Sequence, residues 1–231
     1  MKAFLLAAGA GTRLRPLTDR IPKCLIPIGD KPLLEIWLEQ LERLGVTEAR
    51  VNTHHLAGQV EAYVAGRPAS PLRVSLFHEP VLLGSAGTIR ANRDWLQDER
   101  DFLIIYADNL ADVNLADFIR FHRDRKAEFT LALFRTPNPR ECGIVVRDDQ
   151  GLVVEFQEKP DQPKSPWANA GLYLAGPSLF DAIPARPGLC DFGFDVLPRL
   201  MGRMYAFPLE GFYCDIGTPE RLEYARRMWR K

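Results

Sequence analysis

Apolar positions fall into two textures along the chain. In the first half, short continuous apolar runs alternate with longer stripes of helical spacing. Lys2–Ala7 (KAFLLA), Ala49–Thr53, Leu72–Phe77 and Phe102–Tyr106 lack the alternation of a half-exposed strand, so they predict strands covered on both faces. Leu33, Leu34, Ile36, Trp37, Leu38, Leu41 and Leu44, closed by Gly45, form a helical stripe, with Asp30 as the expected N-cap and Pro32 as an early proline. Further helices are expected near 57–64, 86–97 and 114–125. Strand–helix alternation of this kind predicts an α/β fold with a Rossmann-like, mixed and mainly parallel central sheet flanked by helices.

After Lys126 the pattern turns strand-rich. Phe129–Phe134, Ile144–Arg147, Leu152–Gln157 and Leu172–Ala175 are predicted strands, with a turn at residues 148–151 (DDQG). No Gly/Ser linker, internal repeat or low-complexity stretch interrupts the chain, which predicts one domain over 1–231. In open α/β sheets ligands bind beyond the carboxyl ends of strands, so the loops after Ala7, after Tyr106 and near the late strands are expected to converge.

The chain has 231 residues, 46% of them hydrophobic and 26% charged, enough for a substantial core. Its 30 basic and 30 acidic residues cancel, so overall charge recruits neither nucleic acid nor an anionic membrane, and any phosphate site must be local. The basic tail at 226–231 is expected to offset a helix dipole. No apolar run approaches the roughly 20 residues of a membrane span, which predicts a cytoplasmic protein with no membrane contact. Cys24, Cys142, Cys190 and Cys214 are scattered, and His54, His55, His78 and His122 form no ligand set. Reduced, mostly buried thiols and non-catalytic histidines are the expectation.

The candidate chemistry opens at residues 5–23, LLAAGAGTRLRPLTDRIPK. A dinucleotide fingerprint would need glycine at Leu14, which counts against a dehydrogenase, and a P-loop would need GlyLys followed by Ser or Thr. What remains is a loop of small residues, Ala8–Thr12, whose N–H groups can approach a ligand, with Arg13 supplying a fork of donors and Lys23 a point charge. A triphosphate suits that composition.

GAGTRLRPLT, IPKCLIPIGDKPLLE, LLGSAGTI (82–89), IIYADNL (104–110), EKP (158–160), NAGLY (169–173) and FYCDIGTP (212–219) stand in the order found in the sugar-phosphate nucleotidyltransferases, which this chain resembles over nearly its whole length. The resemblance, nearest to the short single-domain mannose-1-phosphate guanylyltransferases, implies a single nucleotidyltransferase domain. Residues 1–126 would mainly bind the nucleotide and residues 127–231 mainly the sugar phosphate. It implies condensation of a nucleoside triphosphate with a sugar 1-phosphate, with release of pyrophosphate. Asp108 and Asp215 would hold magnesium. Arg13 would act on the triphosphate tail, Lys23 on phosphate beside it, and Lys159 on the sugar phosphate, with Arg15 a lesser candidate. Leu6, Ala8, Gly9, Gly11, Thr12, Gly84 and Gly87 would line the nucleotide, and Gly143, Glu158 and Asn169 the sugar.

Several positions depart from the family pattern. Ala7 and Ala8 stand where a glycine pair is common, and Ala107 precedes Asp108 where glycine is frequent; neither methyl group forbids binding, though each alters the fit around the base. The chain stops soon after IGTPE without hexapeptide repeats, so no C-terminal β-helix domain is expected, and a monomer or homodimer follows. LLGSAGTI resembles the loop of guanylyltransferases, favouring GTP with a mannose-like or heptose phosphate. UTP or dTTP with another sugar is the runner-up, and a non-catalytic sugar-nucleotide-binding subunit is the alternative of another class.

Overall fold

The computed structural model describes residues 1–229. The chain forms two compact units, one built from Met1–Leu82, Ile105–Val113 and the residues from Gly211 onward, the other from Leu83–Ile104 and Asn114–Glu210.

In the first unit, β1 (Lys2–Leu6) is followed by a loop that reaches the two-stranded pair β2 (Pro27–Ile28) and β3 (Lys31–Pro32). Helix α1 (Leu33–Arg43) buries Leu33, Leu34, Trp37, Leu38 and Leu41 on one side, as its apolar stripe predicts. Asp30 is not its N-cap. Pro32 takes that place with no side-chain cap, because Lys31–Pro32 is already paired as a strand and Asp30 lies in the preceding turn. β4 (Glu48–Thr53), α2 (Ala57–Ala65) and β5 (Arg73–His78) complete the alternation, with β1 parallel to β4 and β4 parallel to β5.

The predicted helix at 86–97 is broken in the second unit at Asn92, whose Nδ2 donates to the Thr88 carbonyl 2.9 Å away, giving α3 (Ser85–Ala91) and α4 (Arg93–Leu96). β6 (Phe102–Tyr106) is a continuous buried strand whose last two residues belong to the first unit, where a turn at Ala107–Asp108 leads to β7 (Asn109–Ala111). The second unit continues with α5 (Leu115–Asp124), β8 (Phe129–Arg135), β9 (Gly143–Arg147), β10 (Val153–Glu158), β11 (Trp167–Ala175), α6 (Leu179–Ala182) and β12 (Met204–Pro208). β9 pairs antiparallel with β10 and β11, β11 antiparallel with β8, and β12 parallel with β8. The sheet is thus mixed and flanked by helices, all parallel in the first unit's β1–β4–β5 ladder, with antiparallel pairing in the strand-rich stretch.

β11 starts five residues before its predicted Leu172. The apolar signal there is interrupted by Asn169 and by a register shift against β8 between Asn169 and Tyr173. The first unit closes with β13 (Tyr213–Asp215), antiparallel to β7, and α7 (Pro219–Met228), capped by the Thr218 side chain, which accepts from the Arg221 N–H. Arg226 and Arg227 lie in the last turn of α7, where the helix dipole favours them. Arg230 and Lys231 of the basic tail lie outside the described residues. Among the described residues no helix is long and apolar enough to cross a membrane.

Candidate functional site

The loop after β1 is held by buried polar groups beside the buried Ala8 and Leu14. The Ala7 N–H donates to Asn52 Oδ1 (2.6 Å), and Asn52 Nδ2 donates to Glu79 Oε1 (2.8 Å), with both side chains buried. Gly11 takes a left-handed φ of 61°, and a Cβ there would lie 2.9 Å from Thr18 Cγ2. Thr18, fully buried, donates from Oγ1 to the Gly11 carbonyl (2.9 Å), while His55 Nε2 donates to the Thr18 carbonyl (2.6 Å). These contacts fold residues 11–18 back on themselves and fix the start of the turn carrying Arg13. Ala8 is buried and Gly9 exposed; a side chain at Gly9 would meet nothing within 4 Å.

The loop returns through a short helical turn, Lys23–Leu25, which buries Lys23. Its Nζ lies 2.9 Å from Asp108 Oδ2 and 3.2 Å from Asp215 Oδ1. Asp108 sits in the β6–β7 turn and Asp215 is the last residue of β13; the β7–β13 pairing places Asp215 opposite Asn109, the residue after Asp108. That register is why two aspartates more than a hundred residues apart share one lysine. Asp215 also accepts from the Gly217 N–H (2.9 Å) and Arg221 Nη1 (3.3 Å), and lies 4.0 Å from Arg13 Nη2. Gly217 leaves the space that this arrangement needs, since a Cβ there would come within 2.7 Å of Arg13 Nη2 and 2.9 Å of Asp215 Oδ1.

Burial by itself would lower the Lys23 pKa, but the charges and hydrogen bonds of Asp108 and Asp215 outweigh it and hold the ammonium above its ordinary value. Lys23 therefore stays charged at neutral pH. Neighbouring Cys24 is pushed up to about 12, chiefly by burial, and Cys214 up to about 11, by burial and then by Asp215, so neither is a nucleophile. Lys23, Arg221 and Arg13 face two carboxylates, an excess of cations that favours an incoming anion. Among the described residues no three His, Cys, Asp or Glu side chains gather as a metal centre. Two aspartates already bridged by an ammonium nevertheless suit a magnesium ion, which takes one or two carboxylates and completes its shell with phosphate and water oxygens.

Leu6, the last residue of β1, Thr12, which opens the turn Thr12–Leu14, and Arg15 also lie in the first unit; the other predicted residues lie in the second. Gly84 has a φ of 78°, and a Cβ there would fall 2.5 Å from the Cys190 carbonyl oxygen; Gly87 packs beside the same residue. Gly143 and Glu158 are paired across β9 and β10. Lys159 is exposed, with a left-handed φ of 47°, unusual for a residue bearing a Cβ, and its backbone N–H donates to the Cys142 carbonyl (3.0 Å). Asn169 uses Oδ1 to accept from the Gly171 N–H (3.0 Å) and Nδ2 to donate to Tyr173 Oη (2.7 Å), so its amide braces the irregular stretch of β11. Glu158, half-buried, has its carboxyl pKa raised by burial and by Asp191, against the pull of Lys159.

The structure thus groups Arg13, Lys23, Asp108 and Asp215 in one unit and Gly143 with Glu158 in the other. Arg15 instead pairs with Asp19 on the surface (3.1 Å). Sequence reasoning passed over Asn52, Glu79, Thr18, His55, Gly217 and Arg221. A Thr or Asn in an apolar run looks like any other polar residue until its partner from another strand is known. Arg221 alone left a trace, one turn into a helix that opens just beyond Asp215.

Residues 2–230 match the profile of the family described as nucleotidyl transferase. The chain is 33% identical over 225 residues to a mannose-1-phosphate guanyltransferase beta-A of Xenopus laevis, covering 95% of this chain and 62% of that protein. It is 34% identical over 234 residues to a UTP–glucose-1-phosphate uridylyltransferase of Synechocystis, covering 94% and 60%. The chain therefore spans about three-fifths of the length of these curated relatives. A putative glucose-1-phosphate thymidylyltransferase from Bacillus anthracis superimposes with a TM-score of 0.85 at 23% identity, over 99% of this chain and 94% of that one. Taken with the mixed sheet and the strand-end loop described above, the match over residues 2–230 makes this chain a member of the nucleotidyl transferase family.

Proposed function

We propose that this chain is a sugar-1-phosphate nucleotidyltransferase that condenses a nucleoside triphosphate with a sugar 1-phosphate. The observation that carries the proposal is the cluster in which Lys23 bridges Asp108 and Asp215 with Arg13 and Arg221 alongside. In the reaction an oxygen of the sugar phosphate attacks the α-phosphorus. The bond from that phosphorus to the β-phosphate bridging oxygen breaks, and pyrophosphate leaves with the electron pair. Little covalent chemistry falls to the protein, so catalysis rests on alignment and charge neutralisation.

Arg13, mostly exposed beside the cluster, is free to swing its guanidinium onto the departing pyrophosphate, and Lys23 neutralises phosphate next to it. Asp108 and Asp215 would hold magnesium, which when bound neutralises phosphate charge and orients the triphosphate. The backbone of Leu6, Ala8, Gly9, Gly11 and Thr12, with Gly84 and Gly87, would face the nucleoside and its phosphates. Lys159 would meet the sugar phosphate, and Gly143, Glu158 and Asn169 the sugar. GTP with a mannose-like or heptose phosphate is the favoured pair, supported by the guanylyltransferase-like loop at 82–89 and the guanyltransferase relative. The uridylyltransferase relative, at similar identity, supports UTP as the second reading. A cytoplasmic monomer or homodimer acting on soluble substrates completes the proposal.

A matrix of nucleoside triphosphates against sugar 1-phosphates, scored by pyrophosphate release, tests it. Turnover should appear with one base strongly preferred and vanish on chelation of divalent metal. Folded protein that binds a sugar nucleotide yet releases no pyrophosphate across the matrix would assign the chain a regulatory role instead.

A further inference from the structure

The Glu158 carboxylate stands between two glycines, Gly143, expected on the sugar side from the family resemblance, and Gly193. A Cβ on Gly143 would lie 2.8 Å from Glu158 Oε2; a Cβ on Gly193 would lie 2.5 Å from the same oxygen and 3.0 Å from Cδ. Neither glycine has a left-handed φ, so neither position needs glycine for its backbone conformation. What both supply is room: at Gly143 it is shared by the carboxylate and the Phe156 ring, 2.9 Å from the Cβ position, and at Gly193 the nearest atoms all belong to Glu158. That carboxylate accepts no hydrogen bond and makes no ion pair among the described residues. Apart from the longer-range pull of Lys159 and repulsion of Asp191, shape is what holds this acceptor ready.

Gly193 is also pinned. The segment carrying it is clasped to the start of α3: Cys190 N–H donates to the Leu83 carbonyl (3.0 Å), while Ala86 and Gly87 N–H groups both donate to the Cys190 carbonyl (2.9 Å each). Ser85 donates from N and from Oγ to Asp191 Oδ1 (3.1 Å each), and the Phe192 N–H donates back to Ser85 Oγ (2.9 Å). Asp191 and Asp195 close the turn through two further bonds of 2.9 Å, Asp191 N–H to Asp195 Oδ2 and Asp195 N–H to the Asp191 carbonyl. A side chain at Gly193 could not be accommodated by drift of the segment, so the carboxylate would have to move.

We infer that Gly193, held by the Ser85–Asp191 clasp, is a positioning and specificity-determining residue for the acceptor sugar, setting where the Glu158 carboxylate stands. This rests on the reading of Glu158 as the sugar's hydroxyl acceptor. Gly193 touches no reacting atom and acts only through Glu158, and it would exclude sugars whose hydroxyl pattern needs the carboxylate elsewhere.

The test is a double-mutant cycle in the full chain, with the wild type's best substrate pair. Gly193→Ala should raise the KM for the sugar 1-phosphate at least tenfold while leaving the KM for the triphosphate and the melting temperature nearly unchanged. Glu158→Asp withdraws the carboxylate by one methylene and removes the collision. The double variant should therefore bind the sugar phosphate no worse than Glu158→Asp alone. Additive losses, or a fall in triphosphate affinity equal to the fall in sugar affinity, would overturn the inference. A wild type that releases no pyrophosphate with any pair would sink the proposed function instead. In that case calorimetric titration of the sugar nucleotide into the same four proteins still decides on Gly193, the same coupling being expected in Kd.

Discussion

Two acidic sites in this protein are built in opposite ways. Asp215 is crowded by cations and a backbone N–H, with Lys23, Arg221, Arg13 and Gly217 all within 4.0 Å, and it shares Lys23 with Asp108. Glu158 forms no ion pair among the described residues, feels Lys159 only at longer range, and is held between two glycines. The first arrangement suits strongly charged ligands: its carboxylates can exchange one cation for another, and its arginines are placed for phosphate. The second suits a neutral, hydroxyl-bearing ligand, because an unpaired, half-buried carboxylate is a strong acceptor whose desolvation is repaid only when donors arrive. Under the proposed function, the crowded site would take the triphosphate and the glycine-walled one the sugar.

The largest effects should come from breaking the crowded site. Asp215→Asn and Asp108→Asn each remove a charge with little change in volume, and each should cut turnover by roughly a hundredfold or more, the scale of losing a preorganised charge contact. Because Asp215 has more partners, its variant should also lose more of its melting temperature. A variant that melted early yet kept normal specific activity in its folded fraction would show that the carboxylates only fasten Lys23 in place.

Somewhat smaller and opposite in kind are the effects expected at the cationic side chains. Arg13→Ala should lower kcat more than triphosphate affinity, by about tenfold to a thousandfold, if its guanidinium acts on charge that develops as pyrophosphate leaves. Lys159→Ala should instead raise the KM for the sugar phosphate and leave triphosphate binding intact. Steady-state kinetics in both substrates, beside calorimetry with triphosphate and magnesium, separate the two. Loss of triphosphate binding in Lys159→Ala would dissolve the distinction between the sites.

The smallest effect sharpens the comparison most directly. Burial, then Asp191, raises the Glu158 pKa over the opposing Lys159, so the folded state holds this proton more tightly than the unfolded chain does. The stability this contributes is present below the unfolded-state pKa and lost as pH rises through the higher folded value. Glu158→Gln should therefore melt above the wild type at neutral pH, with the gap closing as pH falls below about 4, near the unfolded value. A wild type that melts higher than this variant at neutral pH would mean that the carboxylate has a partner after all.

Local pattern made much of this protein legible. The strands at Lys2–Leu6, Glu48–Thr53 and Phe102–Tyr106 and helix α1 follow from apolar spacing alone, because a strand buried on both faces or a helix buried on one must carry its own hydrophobic signature. Weak or interrupted signatures hid the rest: the extension of β11 through Asn169, the three-residue β7, and β12. Arg13 and Lys23 stood out as cations beside a loop of small residues, whereas Asp108, Asp215 and Glu158 could be named only because their motifs resemble the family's; by pattern alone they read as turn or cap residues. How those charges are satisfied was not legible. That Lys23 lies between two aspartates depends on the β7–β13 register, and that Glu158 has room depends on Gly193, thirty-five residues away, being clasped to Ser85. Hydrophobic periodicity is written residue by residue, so the sequence by itself determined the elements and the candidate charges. Partners, spacing and empty volume arise only when distant segments are brought together, so tertiary structure alone decided which carboxylate is neutralised and which is left waiting.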